Sequence, residues 1–156
     1  PMPFSKAREL IDNGEIQLLT RSRECMDKYN NHRHALKSKG VDMITNLIVN
    51  ELHWAPADYR PFASEKDIVI TRNSFPYYLE SNTAHLCIWV KFPLLPDPSS
   101  PIGDISQRNK DLIERYIQKT FVEWLGIPRE NIAWFKNWAS LQSIKSIPHI
   151  HVIVKG

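Results

Sequence analysis

Apolar residues recur at two spacings along the chain, and the change of spacing divides it into a helical first third and a sheet-forming remainder. In the first third they return every three or four positions, which predicts helices over about 4–11, 22–39 and 41–52. Gly14 and Gly40 follow the first two of these segments as helix stops. We therefore predict an N-terminal helical part over about 4–52.

Short β-rich runs follow in the second part, where several prolines exclude a long helix until position 104. These runs predict strands at 67–71, 84–91, 132–135 and 149–154. One long helix is predicted between the second and third strands, from about 104–106 to 125, and Gly126 ends it. The apolar face of this helix is predicted to consist of Ile113, Ile117, Phe121 and Trp124.

This order of elements predicts an α+β fold. Two hairpins that flank one long helix favour an antiparallel sheet with helices packed on one face. At 156 residues the chain is long enough to bury a core without staples, so we predict a single domain over 1–156. Its N-terminal helical part precedes a sheet and helix part at about 67–154.

Composition and charge exclude several classes of function. The formal net charge is only +3, and the basic residues are spread along the chain, so nucleic acid is not an expected partner. Cys25 and Cys87 are too far apart for a zinc ribbon, and Cys87 lies in an apolar run that predicts a buried position. No segment is long and apolar enough to predict a membrane span, and we expect a cytoplasmic protein.

The strongest chemical signal is His149-Ile150-His151 on the last predicted strand. Residues i and i+2 of a strand point to the same side, so the two imidazoles are predicted to lie together. Ile150 and Val152 are predicted to be buried on the other face. We expect the histidines to lie on the open face of an edge strand, where they add little to packing.

The segment from Trp134 to Val152 (WFKNWASLQSIKSIPHIHV) resembles the hallmark of the N-acetylglucosamine-induced protein family of fungi and bacteria. The resemblance extends to Leu19-Thr-Arg-Ser22 and to the Lys91-Phe-Pro segment, and so covers most of the chain. The domain of that family is uncharacterised, so this resemblance implies a family and not a reaction.

A more distant resemblance is to the histidine-triad superfamily, which closes with a strand bearing His-x-His-x-His. Here the His-x-His strand is preceded, in the same order, by an Asn-Ser-Phe-Pro-Tyr element, a strand with a histidine and a lysine, a long helix and a loop rich in Gln and Ser. The resemblance implies an antiparallel sheet with one main packed helix and a nucleotide or other phosphate ester as ligand. The substrate-binding residues that it implies are Asn73, His85, Lys91, Asn137, Gln142, Ser143 and Ser146.

In that superfamily the central histidine attacks phosphorus. By position His151 corresponds to the nucleophile and His149 to the residue that orients it, while Ile153 occupies the third triad position. A neutral imidazole is a competent nucleophile near pH 7, and nearby amide and hydroxyl donors stabilise charge on phosphoryl oxygens. We therefore expect a hydrolase or transferase, without a cofactor, for a nucleotide or sugar phosphate.

Two alternatives use the same residues. His85, His149 and His151 offer three nitrogens that suit a catalytic zinc or iron site. Alternatively, the chain is a non-catalytic module that binds a metabolite in an aromatic pocket. The sequence leaves both open, and it leaves open whether the chain forms a homodimer.

Overall fold

The structure is a computed structural model that describes residues 1–41, 46–52, 62, 67–92, 94, 96–137 and 147–156. Three α-helices and four strands form the framework of this part of the chain. The helices are α1 (Phe4–Asp12), α2 (Arg23–Ser38) and α3 (Gln107–Ile117). The strands are β1 (Ile68–Arg72), β2 (Thr83–Val90), β3 (Ile132–Phe135) and β4 (His149–Lys155).

The four strands form one antiparallel sheet in the order β1-β2-β4-β3. The predicted α+β class, the antiparallel sheet and the N-terminal helical segment are confirmed. The prediction that the His-x-His strand lies at an edge is wrong, because β4 pairs with β2 on one side and β3 on the other. Both histidines are buried, with 7% of His149 and 4% of His151 exposed.

One face of the sheet packs against α3. The strands contribute Ile88 and Ile150, which are fully buried. The helix contributes Ile113 and Ile117, and the helical turns that continue it contribute Phe121. The first turn of α3 is stabilised by a side-chain cap, since Ser106 Oγ accepts from the backbone N–H of Asn109 at 3.2 Å.

Trp124 does not belong to this core, although its spacing predicted that it would. After Ile117 the chain continues as π-helical turns over Gln118–Trp124. A π-turn contains more residues than an α-turn, so each residue rotates less about the axis. Phe121 stays on the buried face, but Trp124 rotates away from it and is 78% exposed.

The other face of the sheet is covered as well, so the prediction of helices on one face only is wrong. Helix α1 buries Phe4, Ala7 and Leu10 against the β3 and β4 residues Phe135 and Ile153. Helix α2 has no buried residue and contacts Phe75 through the rings of Tyr29 and His32.

The ends of α2 follow from the sequence. Ser22 Oγ caps its start by accepting from Cys25 N–H at 3.1 Å, and Gly40 follows its end with φ of +69°. The next predicted helix, 41–52, lies partly outside the described residues, and Leu47–Leu52 forms π-helical turns. Within the described ranges no helix is long and apolar enough to cross a membrane.

The packing of α3 gives a stability prediction. Phe121 is 1% exposed, and replacing it with Ala should lower the free energy of unfolding by about 3–5 kcal/mol through lost burial and a cavity. Trp124→Ala is the matched control and should cost less than about 0.5 kcal/mol. Urea unfolding of both variants checks this, and similar losses would contradict the described helix face.

Candidate functional site

A cavity of about 260 Å³ lies on the second face of the sheet. Its floor is made by alternate residues of β1, β2 and β4, and its walls come from α2 and from the segments that precede α2 and follow β1. The floor residues are Thr71, Cys87, Trp89, His149 and His151. Since these side chains project from central strands, the polar groups at the bottom of the cavity are held by the sheet itself.

Strand register brings the histidines together. Cys87 lies opposite His151 and Trp89 opposite His149, and His85 lies two positions before Cys87 on the same face of β2. The ring centroids of His85 and His151 are 5.1 Å apart, and those of His149 and His151 are 5.2 Å apart. The predicted pairing of His149 and His151 on one face is therefore present, with His85 as a third member.

Hydrogen bonds fix the tautomers of His85 and His151. The backbone N–H of Tyr77 donates to His85 Nδ1 at 3.1 Å, so a neutral His85 carries its proton on Nε2. This Nε2 lies 2.8 Å from Nδ1 of His151 and donates to it. A neutral His151 then carries its own proton on Nε2. The side-chain amide of Asn137, whose Nδ2 is placed 3.3 Å from this nitrogen, accepts the N–H when its oxygen and nitrogen are exchanged.

His149 has a different pattern. Its Nδ1 lies 3.0 Å from the carbonyl oxygen of Ile147, and because a carbonyl only accepts, Nδ1 carries the proton. In neutral His149 the lone pair is therefore on Nε2, for which the described residues supply no hydrogen-bond donor. The ring is held against Trp89, with centroids 4.6 Å apart, and Trp89 in turn donates to Thr71 at 2.9 Å.

Burial keeps all three imidazoles neutral near pH 7. It lowers the pKa of His85 from 6.5 to about 3, with the charges of Arg21 and His149 acting in the same direction. It lowers the pKa of His149 to about 4, although the hydrogen bond to Ile147 opposes the shift. The pKa of His151 is also held well below its ordinary value, chiefly by burial.

Asn73 connects this cluster to the segment after β1. Its amide oxygen accepts from Phe75 N–H at 2.9 Å, and its nitrogen donates to Cys87 Sγ at 3.4 Å. Cys87 is buried as predicted, and burial raises its pKa to about 12, so it remains a thiol. Asn73 thus has a positioning role that links the cavity wall to its floor.

Three potential metal ligands lie close together in the described part of the chain. Nitrogens of His85 and His151 and the sulfur of Cys87 all lie within 4.8 Å of one another. This group contains Cys87 where the sequence predicted His149. Metal binding through His85 Nε2 would move the proton to Nδ1, where it would face the N–H of Tyr77. The donor atoms are therefore close enough for a metal, but the hydrogen bond from Tyr77 opposes its binding.

The structure brings together most of the predicted site residues that it describes. Asn73, His85 and Asn137 all contact members of the imidazole cluster. Lys91 follows β2, donates its backbone N–H to Asp67, and is not among the described residues that line the cavity. The remaining predicted residues, Gln142, Ser143 and Ser146, lie outside the described residues.

Two aromatic or cationic side chains at the site were missed from the sequence. The ring of Tyr77 stacks on His85 with centroids 4.6 Å apart, whereas Tyr78 is 54% exposed. Arg21 lines the cavity. Only the spacing of His85 and Cys87, two positions apart on one strand, gave a usable signal for a further site residue.

Fold and site together define an α+β protein that holds a cluster of neutral imidazoles beneath a cavity on an antiparallel sheet. The chain belongs to the family described as "Protein of unknown function (DUF3605)", which matches residues 3–155. It is 38% identical to "N-acetylglucosamine-induced protein 1" of Candida albicans, over 99% of this chain and 68% of that protein. The family resemblance seen in the sequence is thereby confirmed.

Two further similarities cover nearly the whole chain. The chain is 28% identical to "Uncharacterized protein YPL067C" of Saccharomyces cerevisiae, over 97% of this chain and 77% of that protein. The solved structure described as "Crystal Structure of HTC1" matches with a TM-score of 0.80 and 27% identity, over 100% of this chain and 86% of that one. The resemblance to the histidine-triad superfamily stays a prediction.

The lowered pKa values predict how stability depends on pH. Between pH 6.5 and about 4, His149 binds a proton in the unfolded chain but not in the folded one, so stability falls as the pH falls. In that window His149 should contribute about 1.4 kcal/mol per pH unit to the slope of the free energy of unfolding against pH. Replacing His149 with Asn, which keeps an N–H donor for Ile147, should make the slope shallower by that amount.

Urea unfolding at several pH values between 4.5 and 7.5 measures this slope. His34→Asn is the control, because His34 is exposed on α2 and its loss should leave the slope unchanged. An unchanged slope in the His149 variant would show that His149 titrates alike in the folded and unfolded chain.

Proposed function

We propose that the protein is a hydrolase or transferase acting on a phosphate ester, with His149 as the nucleophile that attacks phosphorus. The observation that carries this proposal is the bonding of His149, whose Nδ1–H is held by the Ile147 carbonyl at 3.0 Å. The neutral ring therefore presents its Nε2 lone pair at the floor of the cavity. An oriented, unprotonated imidazole nitrogen beside an enclosed space is what a histidine nucleophile requires.

This proposal reverses the roles predicted for the two histidines from sequence. Nδ1 of His151 accepts from His85, which places the proton of neutral His151 on Nε2, so His151 has no nitrogen lone pair left for attack. Its Nε2–H instead suits a hydrogen-bond donor to a phosphoryl oxygen or a leaving group. In the His-x-His-x-His pattern, His149 then takes the central position, with Ile147 before it and His151 after it.

The reaction has two steps, formation of a phosphorus adduct on His149 and its breakdown. The Nε2 lone pair of His149 forms a bond to phosphorus while the ester P–O bond breaks, and the departing alkoxide takes a proton from water. Water, or another hydroxyl group, then attacks phosphorus and gives its proton to the hydroxide left by the first step, while the N–P bond breaks and its electron pair returns to Nε2. Attack by water gives hydrolysis, and attack by another hydroxyl group gives transfer.

The lining of the cavity and the name of one relative support the choice of substrate class. A nucleotide or a sugar phosphate supplies the ester, and the aromatic side chains of Tyr29, Phe75 and Trp89 in the cavity wall offer surfaces for a ring. The name of the Candida relative refers to induction by N-acetylglucosamine, which places sugar phosphates in the first panel to test.

A covalent adduct gives the direct test. Wild-type protein mixed with a panel of nucleotide and sugar phosphate esters, quenched early and digested, should carry a phosphorus adduct on His149 by mass spectrometry. His149→Asn should lose turnover by at least about 10³-fold, because the attacking atom is absent. His151→Asn should lower turnover less, and His34→Asn should leave it unchanged. An adduct on His151, or turnover that survives His149→Asn, would contradict this assignment.

A metal enzyme is the second candidate, because His85, Cys87 and His151 lie within ligand distance of one another. If zinc or iron is the functional group, elemental analysis of purified protein should find it near one equivalent. Cys87→Ser and His151→Asn should then lose the metal, while His149→Asn should keep it. We instead expect less than about 0.1 equivalent of metal in wild type. The Tyr77 N–H holds neutral His85 with its proton on Nε2, the nitrogen that would have to bind the metal.

A further inference from the structure

Arg21 is fixed in the cavity wall by contacts that leave most of its donors unused. Its Nε donates to the carbonyl oxygen of Phe75 at 2.6 Å. The guanidinium carbon lies 5.0 Å from the ring centroid of Tyr29 and 5.8 Å from that of Tyr77. These contacts set the plane of the guanidinium, while the described residues place no acceptor on its two terminal nitrogens.

The positive charge of Arg21 is not matched by an ion pair within the described part of the chain. This charge nevertheless acts on the imidazole cluster, since it adds to the effect of burial in lowering the pKa of both His85 and His151. A half-buried, oriented and unpaired guanidinium is costly unless an anion accompanies it.

Arg72 is a second cation at the same cavity. It ends β1, lines the cavity and is exposed, and no carboxylate of the described chain forms an ion pair with it. Glu51 lines the cavity too, but it is exposed at the rim. Because the histidines of the floor are neutral, Arg21 and Arg72 are the permanently charged cations among the described lining residues.

We propose that Arg21 and Arg72 form a receptor for a phosphate dianion, so that the ligand of the cavity is a phosphate monoester and not a diester. Two cations balance the two charges of a monoester at neutral pH, whereas a diester carries one. The rigid fork of Arg21 suits two oxygens of one phosphoryl group. This inference rests on the proposed function, since it places the phosphate in the cavity that contains His149 Nε2.

The experiment compares two probes that differ by one methyl group, phenyl phosphate and methyl phenyl phosphate. Calorimetric titration at pH 8 into His149→Asn, which cannot turn them over, should show at least about tenfold tighter binding of the monoester. Arg21→Gln in that background should weaken binding of phenyl phosphate by about 10- to 100-fold, as for a lost charged hydrogen-bond pair. Arg72→Gln should weaken it by about two- to fivefold, because that side chain is exposed.

Arg33→Gln is the matched control. The guanidinium of Arg33 lies 5.7 Å from the same Tyr29 ring, but Arg33 is not among the described lining residues, so binding should not change. Arg72 pairs with Leu86 through the backbone of β1 and β2, but its side chain makes no hydrogen bond to a described residue, so Arg72→Gln remains informative even if Arg21→Gln fails to fold. Equal binding of the two probes, no binding of either, or unchanged binding in both arginine variants would each overturn the proposal.

The outcome separates this inference from the proposed function. Arginine-dependent binding of phenyl phosphate without turnover or an adduct in wild type would support the dianion receptor and refute the nucleophile. An adduct on His149, together with binding of phenyl phosphate that does not depend on the arginines, would support the nucleophile and refute the dianion receptor.

Discussion

The arrangement of the whole imidazole cluster depends on one backbone group, the N–H of Tyr77. It donates to His85 Nδ1 and thereby places the proton of neutral His85 on the atom that faces His151. The direction of the hydrogen bond from His85 to His151 is then defined, and the proton of neutral His151 lies on the nitrogen that faces the Asn137 side-chain amide. Without this donor, His85 could carry its proton on either nitrogen, and the roles of the two nitrogens of His151 would no longer be defined.

The two faces of the sheet have different roles, since one packs in the hydrophobic core and the other lines the cavity. On β4, Ile150 and Val152 pack against the long helix, while His149 and His151 face the cavity. A shift of one residue in register would exchange these sets, burying imidazoles among aliphatic side chains and exposing the core. The same hydrophobic contacts that hold α3 in place therefore also keep the imidazoles in position relative to each other.

Much of this fold could be predicted from sequence, because alternation along β2 and β4 and the helical repeat through Phe121 are local patterns. The exposure of Trp124 could not, since it results from π-turns that apolar spacing does not reveal. The side-by-side placement of His149 and His151 was predictable, but their tautomers depend on carbonyl and N–H groups placed by tertiary structure. Arg21 was missed because its partner Phe75 is 54 positions away in the chain.

Helix α2 covers the cavity without belonging to the core. None of its residues is buried, and it meets the rest of the protein through ring edges such as Tyr29 on Phe75, with centroids 5.1 Å apart. Segments with few buried apolar contacts open at a small fraction of the global unfolding free energy. We therefore expect the α2 wall of the cavity to open more readily than its sheet floor. Substitutions on the α2 surface should then change the wall without altering the groups at the floor.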